Sequence, residues 1–279
     1  MQEIKNIWTA GLEGIRLEWL KYHKNNLARI VFGVFTVGFS FLILYGKKII
    51  PQASPPLPGL DTYYTFPTIW DYQGHIGNWM VCVLLGFVMV HFFTGEVSAK
   101  TLRQGIINGQ TRKDFFIAKL AVIIAIASFA TLIYVLSTLI IGIIHTSDIY
   151  PELLFDTNGI IFRFWLMCVG YLSLAFLISN IFRSSGIAII FYFGYVFVLE
   201  FVLRMTQYYF FRSRSMLFWP ENVIEDLVPN PFFKLPSFWM EKEWGFSPLL
   251  TSGESLLFGL IYTPAIIYLA WVIFKKRDI

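Results

Sequence analysis

The chain has 279 residues; 56% are hydrophobic, 19% aromatic and only 14% charged, and the mean hydropathy is +0.62. A soluble domain carries roughly 25% charged residues, so a soluble enzyme is excluded. The net charge of +4 is not a nucleic-acid signal, because the basic residues gather at the edges of apolar runs. The fold class this implies is an all-α membrane protein.

Residues 1–26 precede the first apolar run and lack the apolar core of a cleavable leader. Ile4, Trp8, Leu12, Ile15 and Trp19 recur at i+3 or i+4, with Lys5, Glu13, Arg16 and Lys24 on other faces. That pattern predicts an interfacial amphipathic helix lying on the cytosolic leaflet or packed on a partner.

Residues 27–279 hold six runs able to cross a bilayer, a crossing needing about 20 apolar residues. They cover 27–46, 78–93, 115–144, 161–181, 186–207 and 254–274. The second is short, and its start is expected inside "QGHIGNW". With the N-terminus inside, fourteen of the twenty-two Lys and Arg residues fall on the cytosolic side, which predicts an N-in, C-in topology. Outer loops are expected at about 47–77 and 208–253. Their prolines forbid a continuous helix, and their aromatic content predicts a compact cap resting on the membrane. Cys82 and Cys168 lie inside apolar runs and read as small buried residues. His75, His91 and His145 read as interfacial residues rather than metal ligands, and Pro264 is expected to kink the sixth span.

Glu200 lies deep in the fifth run, with Arg204 one helical turn further on. An ionisable residue at that depth is costly. Two readings stand: an i,i+4 pair that tethers the span to the outer cap, or a gate or cargo contact. H-E-x-x-H and G-x-S-x-G are absent from the sequence, as is the G-x-x-x-x-G-K-[ST] phosphate loop. No catalytic residue, bound cofactor or metal site is assigned.

Between the second and third runs lies "TGEVSAKTLRQGIINGQTRKDFF". Ala99, Leu102 and Ile106 share one face of a helix expected over 97–108. Gly109 is placed to end it, and Thr111 with Asp114 forms a capping box for the third span. A far shorter connection would join two spans. On physics alone the helix is either a surface offered to a cytosolic partner or a segment lying on the headgroups.

This segment resembles the first cytoplasmic loop of ABC-2-type transporter permeases. There a glutamate closes the second span, a Thr-Leu segment follows, then a turn with Ser/Thr-Arg, and a lysine opens the third span. The matching positions are Glu96, Thr101, Leu102, Gly109, Thr111, Arg112 and Lys119. Lys100 stands where the family has Gly or Ala, and Gln110 where it commonly has proline. The six spans, the N-terminal helix and the long loop between spans five and six agree with the same family.

The resemblance implies a permease subunit in the bacterial inner (plasma) membrane, and a coupling helix docked on a separate ABC ATPase through Glu96, Thr101, Leu102, Arg103, Ile106 and Arg112. It further implies two ATPase copies, which hold ATP and Mg, and a second permease copy or paralogue. Export of a hydrophobic, amphipathic or peptide-like substrate is the expected function. The rivals are an ATP-independent secondary transporter and a non-transporting membrane scaffold with an ABC-like partner.

Overall fold

The computed structural model describes residues 2–49, 60–107, 109–155, 159–182, 184–234 and 237–276. Among them the chain is helical, with six helices long and apolar enough to cross a membrane: Asn26–Gly46, Thr68–Ser98, Arg112–His145, Ile160–Ile181, Ser185–Phe211 and Ser252–Lys276. We call these spans one to six.

Burial sorts the spans into centre and periphery. Span four is the hub: 78% of its apolar window is buried, and 67% of that of span two, against 24%, 22% and 22% for spans one, five and six. Outward side chains such as Ile30, Val37, Phe191 and Val198 face away from the bundle.

Span two begins at Thr68, ten residues before the apolar run. Its first turns read "TIWDYQGHIG", and Trp70, Gln73 and His75 there are buried against protein. Neighbouring helices meet some of its polar groups: Gln73 bonds Ser137, and Tyr134 Oη donates to the carbonyl of Trp70 at 2.8 Å. His75, expected in an outer loop, is therefore inside a span, where it accepts from Trp79 Nε1 at 3.3 Å.

The N-terminal helix Gln2–Tyr22 packs mainly along span three. Gly14 makes the close approach possible: a Cβ there would lie 2.3 Å from that of Ala118. Ile15 turns towards the core, while Leu12 and Trp19 of the expected apolar stripe are 64% and 70% exposed. The side chains of Ile4 and Trp8 lie outside the described residues. Asn25 accepts the amide of Leu27 at 2.8 Å and starts span one.

The loop between spans five and six does more than rest on the surface. Its helix Pro220–Asp226 enters the bundle as a wedge. Ile224, Leu227 and Val228 are fully buried, and three spans make room with glycine. A Cβ at Gly74, Gly170 or Gly259 would come within 2.7, 3.1 and 3.1 Å of Val228, Ile224 and Leu227 respectively. Of the other expected outer loop, residues 50–59 lie outside the described residues.

Candidate functional site

Span two ends at Ser98, and a turn through Ala99 and Lys100 leads into the short helix Thr101–Ile107. The helix is thus shorter than the expected 97–108. Lys100 has φ +55, a left-handed conformation that suits a residue without Cβ and ends span two. Thr101 Oγ1 donates to the carbonyl of Glu96 at 2.9 Å, tying the new helix to the old. Gly109, at φ +93, reverses the chain. Thr111 and Asp114 then form a reciprocal capping box that opens span three: Asp114 N donates to Thr111 Oγ1 at 3.1 Å and Thr111 N to Asp114 Oδ2 at 3.3 Å. Arg112 Nη1 donates to the carbonyl of Lys275 at 2.6 Å, fastening this turn to the end of span six.

Under the helix sits a closed ring of charge. Lys119 meets Glu96 at 2.6 Å and Glu18 at 2.8 Å, and Lys21 meets Glu96 at 2.8 Å and Glu18 at 2.9 Å. Each lysine bridges both glutamates, so two positive charges balance two negative ones. Glu96 and Lys119 are each 3% exposed at the side chain. Burial alone would raise the Glu18 carboxyl; the charges of Lys119 and Lys21 outweigh it and hold it at about 2. For Lys21, burial is likewise outweighed by Glu96 and Glu18, which raise it above its ordinary value. Tyr22 extends the contact: its ring stacks on Phe92 at 3.6 Å, and its hydroxyl donates to the Phe92 carbonyl at 3.0 Å. The ring joins the N-terminal helix, the end of span two and the start of span three into one unit at the base of Thr101–Ile107.

The outward face of the short helix differs from the expected one. Ile106 is partly buried and packs on the core, whereas Ile107 is 75% exposed and Arg103 is exposed beside it. The side chain of Leu102 lies outside the described residues.

Glu200 and Arg204 come together at the wedge without forming the expected i,i+4 pair. The wedge opens with Pro220 at its first position, which has no N–H, so the first free donors are the amides of Glu221 and Asn222. Glu200, fully buried, accepts both, at 3.0 and 2.8 Å. Arg204 reaches the same helix separately, bonding Asn222 Oδ1 and lying 3.8 Å from Glu221. Backbone donors compete better for a buried carboxylate than a guanidinium that has its own partners on the wedge.

The sequence reading missed Glu18 and Lys21 as ring members. They lie 78 and 75 residues from Glu96, and the only signal was a pair of opposite charges at i,i+3 on an apolar helix. It also missed Glu221, Glu225 and Asp226, which a loop rich in proline and aromatics concealed.

No curated protein sequence matches the chain. A family model described as ABC-2 family transporter protein matches residues 14–199, two thirds of the chain and all four residues of the charged ring. With six helices able to cross a membrane and the loop geometry of Glu96 to Lys119, the chain belongs to the ABC-2 family of transporter proteins and is a multi-pass membrane protein.

Proposed function

We propose that the chain is the permease subunit of an ATP-driven ABC transporter, and that the helix Thr101–Ile107 is its contact with a separate ATPase subunit on the cytosolic side. The observation that carries this reading is the mounting of that helix. Seven residues project an exposed Ile107 and Arg103 from one end of the bundle, while their base is bound through Glu96 and Lys119 into spans two and three and the N-terminal helix. A displacement imposed on the helix is passed to three elements together, as coupling ATP closure to a rearrangement of spans requires.

Two ATPase copies, which bind ATP and Mg, and a second permease copy complete the proposed assembly. The low burial of spans one and five leaves faces for that copy or for lipid. Export of a hydrophobic, amphipathic or peptide-like substrate across the plasma membrane is the proposed direction, with the N- and C-termini inside.

The contact is tested by replacing Ile107 with Asp in the co-expressed complex. Insertion and melting should be unchanged, because the side chain is exposed, while co-purification of the ATPase or substrate-stimulated ATP hydrolysis should fall at least tenfold. Wild-type coupling in Ile107→Asp and in Arg103→Glu would overturn the assignment of this helix.

A further inference from the structure

On the side of the bundle away from Thr101–Ile107, spans two, four and five and the wedge line an open cavity of about 380 Å³, a size suited to a small organic molecule. Its walls have two chemistries. Trp79, Phe197, Phe201 and Trp244 supply aromatic surface, and Glu221, Glu225 and Asp226 supply carboxyl groups. Among the described lining residues Arg204 is the one basic side chain.

Polar groups here are incompletely paired: Arg204 Nε is a buried donor without a hydrogen-bond partner, and two acceptors are left unmet as well. Asp226 Oδ2 is served by the amide of Leu250 at 3.0 Å and by Asn222 at 3.2 Å. Glu221 Oε2 is buried without a hydrogen bond, its nearest cation being Arg204 at 3.8 Å. A second observation comes from a different element and an uncharged residue. Asn78 of span two lines the cavity, is 3% exposed, and its Oδ1 has no hydrogen-bond partner. A buried acceptor left unmet costs about 1–3 kcal/mol, and two of them converge on one space.

The helices that form the walls are also locally widened. Span two has a turn of i→i+5 hydrogen bonds at Val81–Leu85 and span five at Gly194–Leu199, a feature frequent at functional sites. The carbonyl of Cys82 accepts the Tyr192 hydroxyl at 3.0 Å across the two spans. Trp79 and Phe197 stack with centroids 5.8 Å apart and planes within 6°.

We propose that this cavity binds a primary ammonium or guanidinium group carried on an apolar body. Asn78 Oδ1 and Glu221 Oε2 accept its N–H bonds, Glu225 adds a second carboxyl group whose ionised form a bound cation favours, and Trp79 and Phe197 hold the apolar part, where a cation near the ring faces is also favoured. A quaternary ammonium is a poorer fit, because it brings charge but no donor for the unmet acceptors. The inference deepens the transport reading by naming the cargo class, and rests on it for the word cargo alone.

The test is equilibrium binding of 4-phenylbutylammonium to the purified chain in nanodiscs, read by tryptophan fluorescence against empty nanodiscs. 4-Phenylbutanol and trimethyl(4-phenylbutyl)ammonium share the apolar body. The primary ammonium should bind saturably, and both analogues at least tenfold more weakly. Asn78→Leu should weaken it about tenfold without lowering the melting temperature, since it removes an unmet polar atom; Glu225→Gln should weaken it similarly. Equal affinity for the three probes, no saturable binding of the ammonium, or unchanged binding in both variants would overturn the proposal. The two readings fail separately. Ammonium binding by a chain that recruits no ATPase sinks the transporter reading alone, and an ATPase-coupled complex that does not bind the ammonium sinks the cavity alone.

Discussion

The two ends of the bundle treat buried charge in opposite ways. At the Thr101–Ile107 end, Glu18 and Glu96 face Lys21 and Lys119, and all four contacts fall between 2.6 and 2.9 Å. At the far end, Glu221, Glu225 and Asp226 line an open cavity with Arg204 as the basic residue among the described ones of its wall. The lysines around Glu18 hold its carboxyl down against the opposing effect of burial, whereas at Asp226 desolvation outweighs the donors and pushes the carboxyl up to about 7. A balanced, closed ring is a joint: it fixes three elements relative to one another. An unbalanced, open cluster has capacity left over, and that capacity is chemical. Desolvating an ion is repaid only by close partners, so the first arrangement is complete by itself and the second is not.

Unbalancing the joint has the largest expected effect. Lys119→Met keeps the volume and removes the charge that both glutamates share. The loss should be on the order of 3–5 kcal/mol, the usual result of orphaning a buried ion, seen as a large drop in melting temperature and release of the N-terminal helix to proteolysis. Lys21→Met should cost much less, since that side chain is 37% exposed and Lys119 continues to bridge both glutamates. Equal small losses in the two variants would show that the ring is not a joint.

Acid breaks the same joint without mutation. The carboxyl of Glu18 stands at about 2 against an ordinary 4.5, held there by Lys119 and Lys21 over the opposing effect of burial. A depressed carboxyl contributes stability above its unfolded value and loses it as pH falls. The contribution should therefore be complete above about pH 5 and decline from there towards pH 2, by an amount on the order of 3 kcal/mol. Hydrogen exchange of Gln2–Tyr22 should rise over that window in the wild type. In Glu18→Gln the acid dependence should be much reduced; a wild-type acid limb in that variant would assign the titration to other groups.

What the sequence made legible follows from which solvent each residue meets. Spans one, three, four, five and six were found within a few residues because their apolar runs match the bilayer. The start of span two was not, because hydropathy registers contact with lipid and most of residues 68–77 are buried in protein, where Gln73 and His75 are tolerated. The stop at Gly109 and the capping box at Thr111 were legible because they are local. The ring was half legible: Glu96 and Lys119 stood out as loop positions of a known family, while Glu18 and Lys21 join them through a fold contact between distant segments. The wedge was hidden by its prolines, which forbid a long helix yet allow the seven residues of Pro220–Asp226. The glycines that admit it sit one each on spans two, four and six and share no motif. Ile106 and Ile107 differ by one position, about 100° around a helix, and a seven-residue helix gives too short a pattern to say which of them faces out.

Where charge meets backbone, at the wedge, the expected effect is smaller. Glu200 holds the wedge by accepting the amides of Glu221 and Asn222 at 3.0 and 2.8 Å. Glu200→Gln keeps the shape but turns an N–H₂ towards one of those amides, so one bond is lost and two donors face each other. The cost should be about 2 kcal/mol, within the range for a buried hydrogen bond to a charged group. Arg204→Gln loosens the same helix through Asn222 and Glu221. Because both side chains grip one element, the double change should cost less than the sum of the single ones, read as melting temperature and as exchange of the wedge amides. Transport or coupled ATP hydrolysis should fall only as the wedge loosens. A Glu200→Gln variant that melts normally but has lost coupled activity would move Glu200 from holding the wedge to gating the path. Additive losses with activity intact would separate the two residues and leave the wedge held by packing at Gly74, Gly170 and Gly259.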